Sequence, residues 1–225
     1  MSGVATEWSF MLPLKEVLEA RFRDAGLETR VQLLHPYGDW NRPLWRQVAE
    51  ARRDMSRRAL HAGASVRGRA LADQLLEGQE QTGDQDRVLV LIGHSAGALA
   101  AIHTAAVLNR RVIRPPIIIQ IGAPKLAVPP HLKATTAYYY GVDSTSKSRD
   151  PVTRIGHWGG WRRLRSGIPV WDPQLHAPSV VEELRLMGGH PDYFRSGERF
   201  RSSAGQTNLE RTMDAVWKYL MTLMN

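Results

Sequence analysis

The feature that most constrains the fold is the stretch VLVLIGHSAGALAAIHTA at residues 88–105. Residues 87–92 form a nearly continuous apolar run, which is typical of a strand buried on both faces of a parallel sheet. The motif GHSAG (residues 93–97) follows, and small residues then begin a helical pattern over 96–109. A G-x-S-x-G motif between a buried strand and a helix predicts a nucleophile elbow, with the Ser95 hydroxyl clear of the sheet. The alternative is a tight turn that contains a serine for structural reasons.

Helical and strand patterns alternate along the rest of the chain. Gly26 follows a helical pattern as a C′ glycine would, and Gly63 and Gly68 interrupt a long Arg-rich helical stretch. No repeat or linker divides the sequence, so we expect a single α/β domain over residues 1–225, with a mostly parallel sheet and helices on both faces. The predicted helices are 12–25, 44–80, 96–109 and 209–224, and the predicted strands are 29–34, 87–92, 117–121, 136–142 and 180–187.

Composition excludes several classes of protein. The 225 residues contain no cysteine, which rules out disulfides, thiolate metal sites and cysteine nucleophiles. No apolar run reaches the ~18 residues of a membrane span, and the first ten residues lack a secretory signal pattern. We therefore expect a cytoplasmic protein without integral membrane association. The net charge of +8 comes mainly from dispersed arginines. This favours solvated helix faces over an anion patch, and no nucleic-acid-binding module is evident.

A serine nucleophile needs a base, and the base needs a carboxylate to orient it. His190 lies in the glycine-marked loop MGGHPDYF after the last predicted strand, where α/β folds can deliver a base. His103 lies eight positions after Ser95 inside the predicted helix, about 12 Å along its axis, which is too far from the elbow. The Ala96 amide, at the start of that helix, is placed to stabilise a developing oxyanion.

Four segments in this order resemble the lipase class 3 (fungal lipase-like) branch of the α/β-hydrolases: IGHSAGALAAI, IQIGAPK, DPVTRIG and GGHPDYF. The resemblance covers roughly residues 87–195. It implies an α/β-hydrolase fold with Ser95 as nucleophile, Asp150 as orienting acid, His190 as general base and the Ala96 amide in the oxyanion hole. It also implies hydrolysis of carboxylic esters, of small molecules or of lipids, without a metal ion or another cofactor.

The identity of the acid stays open between two aspartates. Asp143 ends the strand at 136–142, so plain geometry places a carboxylate there, at the carboxyl edge of the sheet. Asp150 matches the Asp-x-Val segment of the family. Pro151 restricts Asp150 to extended conformations, which fixes the direction of its carboxylate.

The N-terminal part departs from the family pattern. Members of the family have at least one strand before the first helix, and the loop after that strand supplies the second oxyanion amide. Few residues precede the helix at 12–25. We therefore expect either a smaller sheet, lacking the first strand or strands, or a natural start upstream of Met1. Residues 29–34 are then the first strand, and residues 1–10 are irregular and near the elbow, with the second donor within residues 3–8.

Three further residues are candidates for a substrate pocket. His94 precedes the nucleophile, Tyr37 lies in the loop HPYGDWNRP with Asp39 and Trp40, and Trp158 lies between the candidate acid and base. For Tyr37 the alternative is a role in the structure of its loop, and for Trp158 it is core packing. Two alternatives to an esterase also stay open. One is a thioesterase or acyltransferase with the same triad, and the other is a binding protein with a catalytically degenerate hydrolase fold.

Overall fold

The computed structural model describes residues 1–38, 41–56, 60, 65–82, 87–112 and 114–224. Within these residues the chain alternates between helices and strands. The α-helices are α1 (Leu12–Asp24), α2 (Leu44–Asp54), α3 (Val66–Thr82), α4 (Gly97–Leu108) and α5 (Asn208–Met224). The strands are β1 (Val90–His94), β2 (Ile117–Ile121), β3 (Thr136–Val142), β4 (Gly160–Arg163), β5 (Pro169–Asp172) and β6 (Val180–Arg185).

Four strands form a parallel sheet in the order β1-β2-β3-β6. Because all four run in the same direction, their carboxyl ends share one edge, and α/β folds build their sites at that edge. The α/β class and the parallel sheet are therefore as predicted. The strands predicted at 117–121 and 136–142 have these bounds in the structure, and those predicted at 87–92 and 180–187 are shifted or shortened by a few residues.

Helices cover both faces of the sheet, as β2 illustrates. Ile117, Ile119 and Ile121 pack with apolar side chains of α1 and α5 on one face. Ile118 packs with α3 and α4 on the other. All four side chains are buried, which explains why the strand is apolar at every one of these positions. Among the described residues, no helix combines the length and the apolar character that a membrane span requires.

Residues 29–34 were predicted to be the first strand, and this prediction is wrong. They form no assigned strand, although they run beside β1. The first two residues of the chain lie between them and β1. The Met1 nitrogen donates to the Ile92 carbonyl (2.6 Å), His94 N–H donates to the Met1 carbonyl (3.1 Å), and Ser2 N–H donates to the Leu34 carbonyl (3.0 Å). Within the described residues, the backbone bond from Ser2 lies at the end of the segment and no ladder of such bonds runs along it, so β1 is the first strand of the sheet.

Residues 1–10 do lie near the elbow, but they are not wholly irregular, because a 3₁₀ turn, Trp8–Met11, leads into α1. The helix then ends as predicted, with Gly26 at φ +68° after the Ala25 cap. The helical stretch predicted at 44–80 is divided, as expected, into α2 and α3, but Gly68 itself lies inside α3, two residues after its start. A Cβ on Gly68 would be 2.6 Å from His103 Cβ, so the glycine permits close packing of α3 on α4. The predicted break at Gly63 lies outside the described residues.

The connection between β3 and β6 contains structure that the sequence pattern did not predict. It carries a short 3₁₀ turn, Pro151–Arg154, and an antiparallel hairpin of β4 and β5. Trp161 and Trp171 face each other across the hairpin, with ring centroids 5.5 Å apart. The sequence had indicated only a loop-rich region here. The candidate acid Asp150 precedes the 3₁₀ turn as its N-cap residue.

Candidate active site

Ser95 lies at the carboxyl end of β1, in the turn that leads into α4. Its φ is +56°, in the left-handed region that residues other than glycine rarely adopt. The Ser95 N–H donates to the Ile121 carbonyl at 3.0 Å, which ties the turn to the end of β2. Gly93 allows a tight approach, because a Cβ there would be 2.4 Å from Ala98 Cα. The predicted strand–turn–helix context of the elbow is present, with the serine in the strained position.

Ser95, His190 and Asp150 form one chain of hydrogen bonds. The distance between His190 Nε2 and Ser95 Oγ is 2.9 Å, and the distance between His190 Nδ1 and Asp150 Oδ2 is also 2.9 Å. With Nδ1–H donating to the carboxylate, Nε2 is left to accept the serine hydroxyl. The base lies on a 3₁₀ turn after β6, the acid lies in the β3–β6 connection, and the serine follows β1. The three come from distant parts of the chain but meet at one edge of the sheet.

Asp150 is held by three donors. Besides His190, the Val152 N–H donates to Oδ1 (2.9 Å) and the Tyr193 hydroxyl donates to Oδ2 (2.9 Å). Burial raises the pKa of Asp150, but hydrogen bonds and charge from His190, then the bonds from Tyr193 and Val152, outweigh it and lower the pKa overall. The acid is therefore ionised at neutral pH. Tyr193 also accepts the Gly141 N–H (2.8 Å), so it links β3 to the acid.

The other candidate acid, Asp143, forms its hydrogen bonds with residues of the loop that follows it. Its Oδ1 accepts hydrogen bonds from the Thr145 N–H and hydroxyl and from the Lys147 N–H, and its Oδ2 accepts from Arg149 Nε at 3.1 Å. These bonds, the Thr145 hydroxyl first, hold the pKa of Asp143 well below its usual range. The sequence offered two candidate acids, and the structure places Asp150, not Asp143, within hydrogen-bond distance of His190.

A cavity of about 560 Å³ lies over Ser95 and His190. A Cβ on Gly3 would be 2.7 Å from Ser95 Cβ and 3.3 Å from the Ala96 nitrogen, so the N-terminal loop passes directly over Ser95. The Ala96 N–H donates to no acceptor within the described residues, and it remains free for a ligand. The cavity is lined by Val4, Ala5, Thr6, Glu7, Trp8, Phe10, Asn41, His94, Ser95, His190 and Pro191.

His94 lies beneath the base and lines this cavity. Its ring stacks on the His190 ring, with centroids 4.8 Å apart and planes 25° apart, and its Nε2 donates to the His190 carbonyl (3.1 Å). Burial, then the charge of His190, lowers the pKa of His94 to about 3. The ring therefore stays neutral and does not compete with His190 for a proton. Its buried Nδ1 has no partner among the described residues.

Tyr37 and Trp158, the other pocket candidates, lie outside the cavity. Tyr37 is fully buried and donates to Asp54 Oδ2 (2.8 Å). Trp158 is buried edge-on against Tyr138, with ring centroids 4.8 Å apart. Trp158 therefore follows the core-packing alternative, and Tyr37 has a structural role, because their side chains meet buried partners and not the space over Ser95. Asp39 and Trp40 lie outside the described residues.

The sequence did not single out Phe10 or Asn41, which line the cavity, or the bridge that Tyr193 makes to the acid. Phe10 contacts the His94 ring (centroids 5.0 Å apart), although it belongs to the turn before α1. Nothing in the spacing of these residues signals a site, because only the tertiary fold brings them to the sheet edge. Within the described residues, no cluster of three or more histidine, aspartate or glutamate side chains is arranged to hold a metal ion.

Comparisons with protein-family models, with curated proteins and with solved structures found no match for this chain.

Proposed function

We propose that this chain is a serine hydrolase of the α/β-hydrolase type that cleaves carboxylic esters through an acyl-enzyme. The observation that carries the proposal is the pair of 2.9 Å hydrogen bonds linking Asp150, His190 and Ser95. The resemblance of four sequence segments to the lipase class 3 branch supports the same reaction. A strained serine, a correctly oriented histidine and a buried carboxylate together are what nucleophilic acyl transfer needs.

The reaction divides into acylation and deacylation. His190 Nε2 takes the Ser95 proton while the serine oxygen attacks the ester carbonyl, and the new tetrahedral centre carries the negative charge on the former carbonyl oxygen. The imidazolium then protonates the leaving alcohol as the carbon–oxygen bond breaks. In deacylation a water molecule gives its proton to His190 and attacks the acyl carbon, and Ser95 leaves with that proton. Asp150 stabilises the imidazolium in both steps.

The oxyanion needs preorganised donors. The free Ala96 N–H, next to the nucleophile and at the start of α4, provides one. We assign the second to the loop at residues 3–4, because this loop passes so close that a Cβ on Gly3 would meet both Ser95 and the Ala96 nitrogen. The Ala5 N–H is a poorer candidate because it donates to Gln47 Oε1 (2.9 Å).

The cavity suggests the kind of ester that fits. Its volume of about 560 Å³ lies within the range of roughly 300–1,000 Å³ typical of small-molecule sites. Val4, Ala5 and Phe10 supply apolar surface beside the nucleophile, and Trp8 at the rim is 60% exposed. An apolar acyl or alkyl group of a small-molecule or lipid ester matches this lining.

The test is active-site labelling of the purified protein with a fluorophosphonate, together with hydrolysis of short p-nitrophenyl esters. The wild type should be labelled on Ser95, and Ser95→Ala should lose labelling and at least ~10⁴-fold in hydrolysis rate. Ser166→Ala, which changes an exposed serine in the β4–β5 turn, is the matched control and should behave as the wild type. Equal hydrolysis by Ser95→Ala and the control would refute the proposal. An unlabelled wild type would instead favour a hydrolase-fold binding protein.

A further inference from the structure

The β4–β5 hairpin exposes more apolar surface than a solvated hairpin requires. Within the described residues its two strands pair only with each other, and residues 164–168 form the turn between them. Four large apolar side chains of this short element are exposed: Trp161 (68%), Ile168 (57%), Trp171 (45%) and Leu164 (38%). Apolar side chains that are exposed singly need no explanation, but a group of them on one element marks an interaction surface.

These side chains are ordered along the length of the hairpin. Trp161 and Trp171 are opposite each other in the register, so both indoles lie on one face, near the base. Leu164 and Ile168 close the turn at the tip, where the Leu164 N–H donates to the Ile168 carbonyl (2.9 Å). Leu164 follows Trp161 at the third position, so the aliphatic tip lies about 10 Å beyond the indoles along the strand.

This order matches the depth profile of a bilayer surface. Amphipathic segments bury their apolar side roughly 5–10 Å into the boundary between headgroups and acyl chains. Tryptophan is enriched at the level of the headgroups, because its ring is apolar and its N–H is polar. Nucleic-acid bases would also stack on exposed indoles, but a nucleic acid offers no apolar phase for Leu164 and Ile168. The aliphatic tip therefore favours a lipid surface.

The charge of the hairpin selects the kind of lipid surface. Arg162 and Arg163 end β4 and Arg165 lies in the turn, and all three are exposed. Arg162 pairs with Asp172 (3.4 Å) and Arg163 donates to the Gly167 carbonyl (3.1 Å), whereas Arg165 has no carboxylate partner among the described residues. An arginine stem can lie along apolar surface while its guanidinium stays at headgroup level and binds phosphate. Three cations and one carboxylate, in a chain of net charge +8, complement an anionic surface.

We propose that the β4–β5 hairpin docks this protein on the surface of an anionic phospholipid bilayer. Leu164 and Ile168 enter the boundary of the acyl chains, and Trp161 lies among the headgroups. Arg163 and Arg165 bind the lipid phosphates. The hairpin lines no part of the cavity of the candidate active site, so the docking surface is separate from that site and does not rest on the proposed function.

The test is sedimentation of the purified chain with two kinds of vesicle, one of phosphatidylcholine alone and one of phosphatidylcholine and phosphatidylserine in equal amounts. The wild type should partition onto the mixed vesicles at least about tenfold more strongly, and added salt should weaken this binding. Arg163→Gln combined with Arg165→Gln should weaken it about 25-fold, or about fivefold for each arginine. Leu164→Ser combined with Ile168→Ser should weaken it at least about tenfold, because the tip then has little apolar area to bury.

Trp161→Ser and Trp45→Ser form a matched pair. Both indoles are 68% exposed, but Trp45 lies on α2 and not on the hairpin. Trp161→Ser should weaken binding to the mixed vesicles, and Trp45→Ser should bind as the wild type does. Because all the substituted side chains are exposed, the urea midpoint of each variant should stay near that of the wild type, which separates lost binding from lost folding.

Absence of wild-type binding to the mixed vesicles would overturn the proposal, and so would equal weakening by Trp161→Ser and Trp45→Ser. Weakening by the arginine variant but not by the Leu164–Ile168 variant would also overturn it, because the protein would then adsorb by charge alone. If the wild type binds a single-stranded oligonucleotide more tightly than the vesicles, and the hairpin variants lose that binding, the surface belongs to a nucleic acid instead. None of these readouts depends on ester hydrolysis, so the docking surface and the proposed activity can fail separately.

Discussion

Replacing Gly3 by alanine tests whether the N-terminal loop forms part of the active site. The added Cβ would lie 2.7 Å from Ser95 Cβ, 3.0 Å from Ser95 Oγ and 3.3 Å from the Ala96 nitrogen. Ordinary contact begins at 3.4 Å, so the two carbons must separate by roughly 0.7 Å. A movement of Ser95 by that amount directly away from His190 would lengthen its 2.9 Å distance to His190 Nε2 to about 3.6 Å, which is no longer a hydrogen bond. If the loop moves instead, the second oxyanion donor is displaced.

Either movement should lower kcat. A displacement approaching 1 Å in a reacting group costs about 10²-fold, and loss of one oxyanion donor costs about 10²–10³-fold. We therefore expect Gly3→Ala to lose 10²–10³-fold in kcat on short p-nitrophenyl esters, as an order of magnitude. The overpacking should lower the free energy of unfolding by about 1–3 kcal/mol, which leaves most molecules folded.

The matched control is Gly197→Ala. Gly197 has φ −66°, and the nearest atom that a Cβ there would meet is a Phe200 ring carbon at 4.0 Å. Steady-state kinetics and urea unfolding of both variants separate lost activity from lost stability. If kcat of Gly3→Ala stays within about threefold of the control, the loop does not approach the reacting atoms as the geometry requires.

Three further predictions follow from the site and the core. Asp150→Asn should lower kcat by about 10⁴-fold, whereas Asp143→Asn should change kcat less than about tenfold. If Asp143→Asn lowers kcat more than Asp150→Asn does, Asp143 is the orienting acid. Tyr193→Phe should cost about 2–4 kcal/mol in urea unfolding, because it removes one donor to the acid and orphans a β3 amide, but it should lower kcat less than about tenfold. A stability loss below 1 kcal/mol would contradict that bridge. Burial lowers the pKa of both His94, to about 3, and His103, so the unfolded chain binds protons that the folded chain does not. Burial also lowers the pKa of the Met1 amine from 8.0 to about 5, so this stabilisation should be complete only above about pH 8. It should fall with the Met1 amine between about pH 8 and 5 and with His94 between about pH 6.5 and 3, by up to ~1.4 kcal/mol per pH unit for each of these two groups. His103 acts in the same direction below about pH 6.5, and His94→Gln should flatten the low-pH part of the urea-unfolding profile.

The parts of the fold predictable from sequence are those that depend on local pattern. The strand at Ile117–Ile121 is buried on both faces and is apolar at all but one position, so its bounds can be identified from the sequence. The Ser95 turn likewise carries its own glycines and its own strand–helix context. His190 could be placed by its loop and its order in the chain, before any contact with Ser95 was known.

The parts that could not be predicted depend on partners distant in sequence. Residues 29–34 have a strand-like composition, but a strand needs a neighbour along its length, and within the described residues the segment is bonded to its neighbour Ser2 at Leu34 alone. Gly68 has the sequence signature of a helix breaker, but it is needed for packing, because a Cβ there would be 2.6 Å from His103 Cβ. Tyr37 could have faced a pocket, but its hydroxyl is taken by Asp54. In each case a nonlocal contact, absent from the local pattern, decides the outcome.

The β4–β5 hairpin is built as a module that can be exchanged. It belongs to the same connection as Asp150, but the acid is fixed by Val152 and Tyr193, and the hairpin lines no part of the cavity over Ser95. Backbone bonds on either side of it, from the Lys125 N–H to the Ile155 carbonyl and from the Val128 N–H to the His176 carbonyl, join it to the rest of the fold. Insertions, deletions or grafts between these two anchor points should therefore leave the chemistry of the site intact. Evolution and protein engineering alike can vary the surface of the molecule there without moving Ser95, Asp150 or His190.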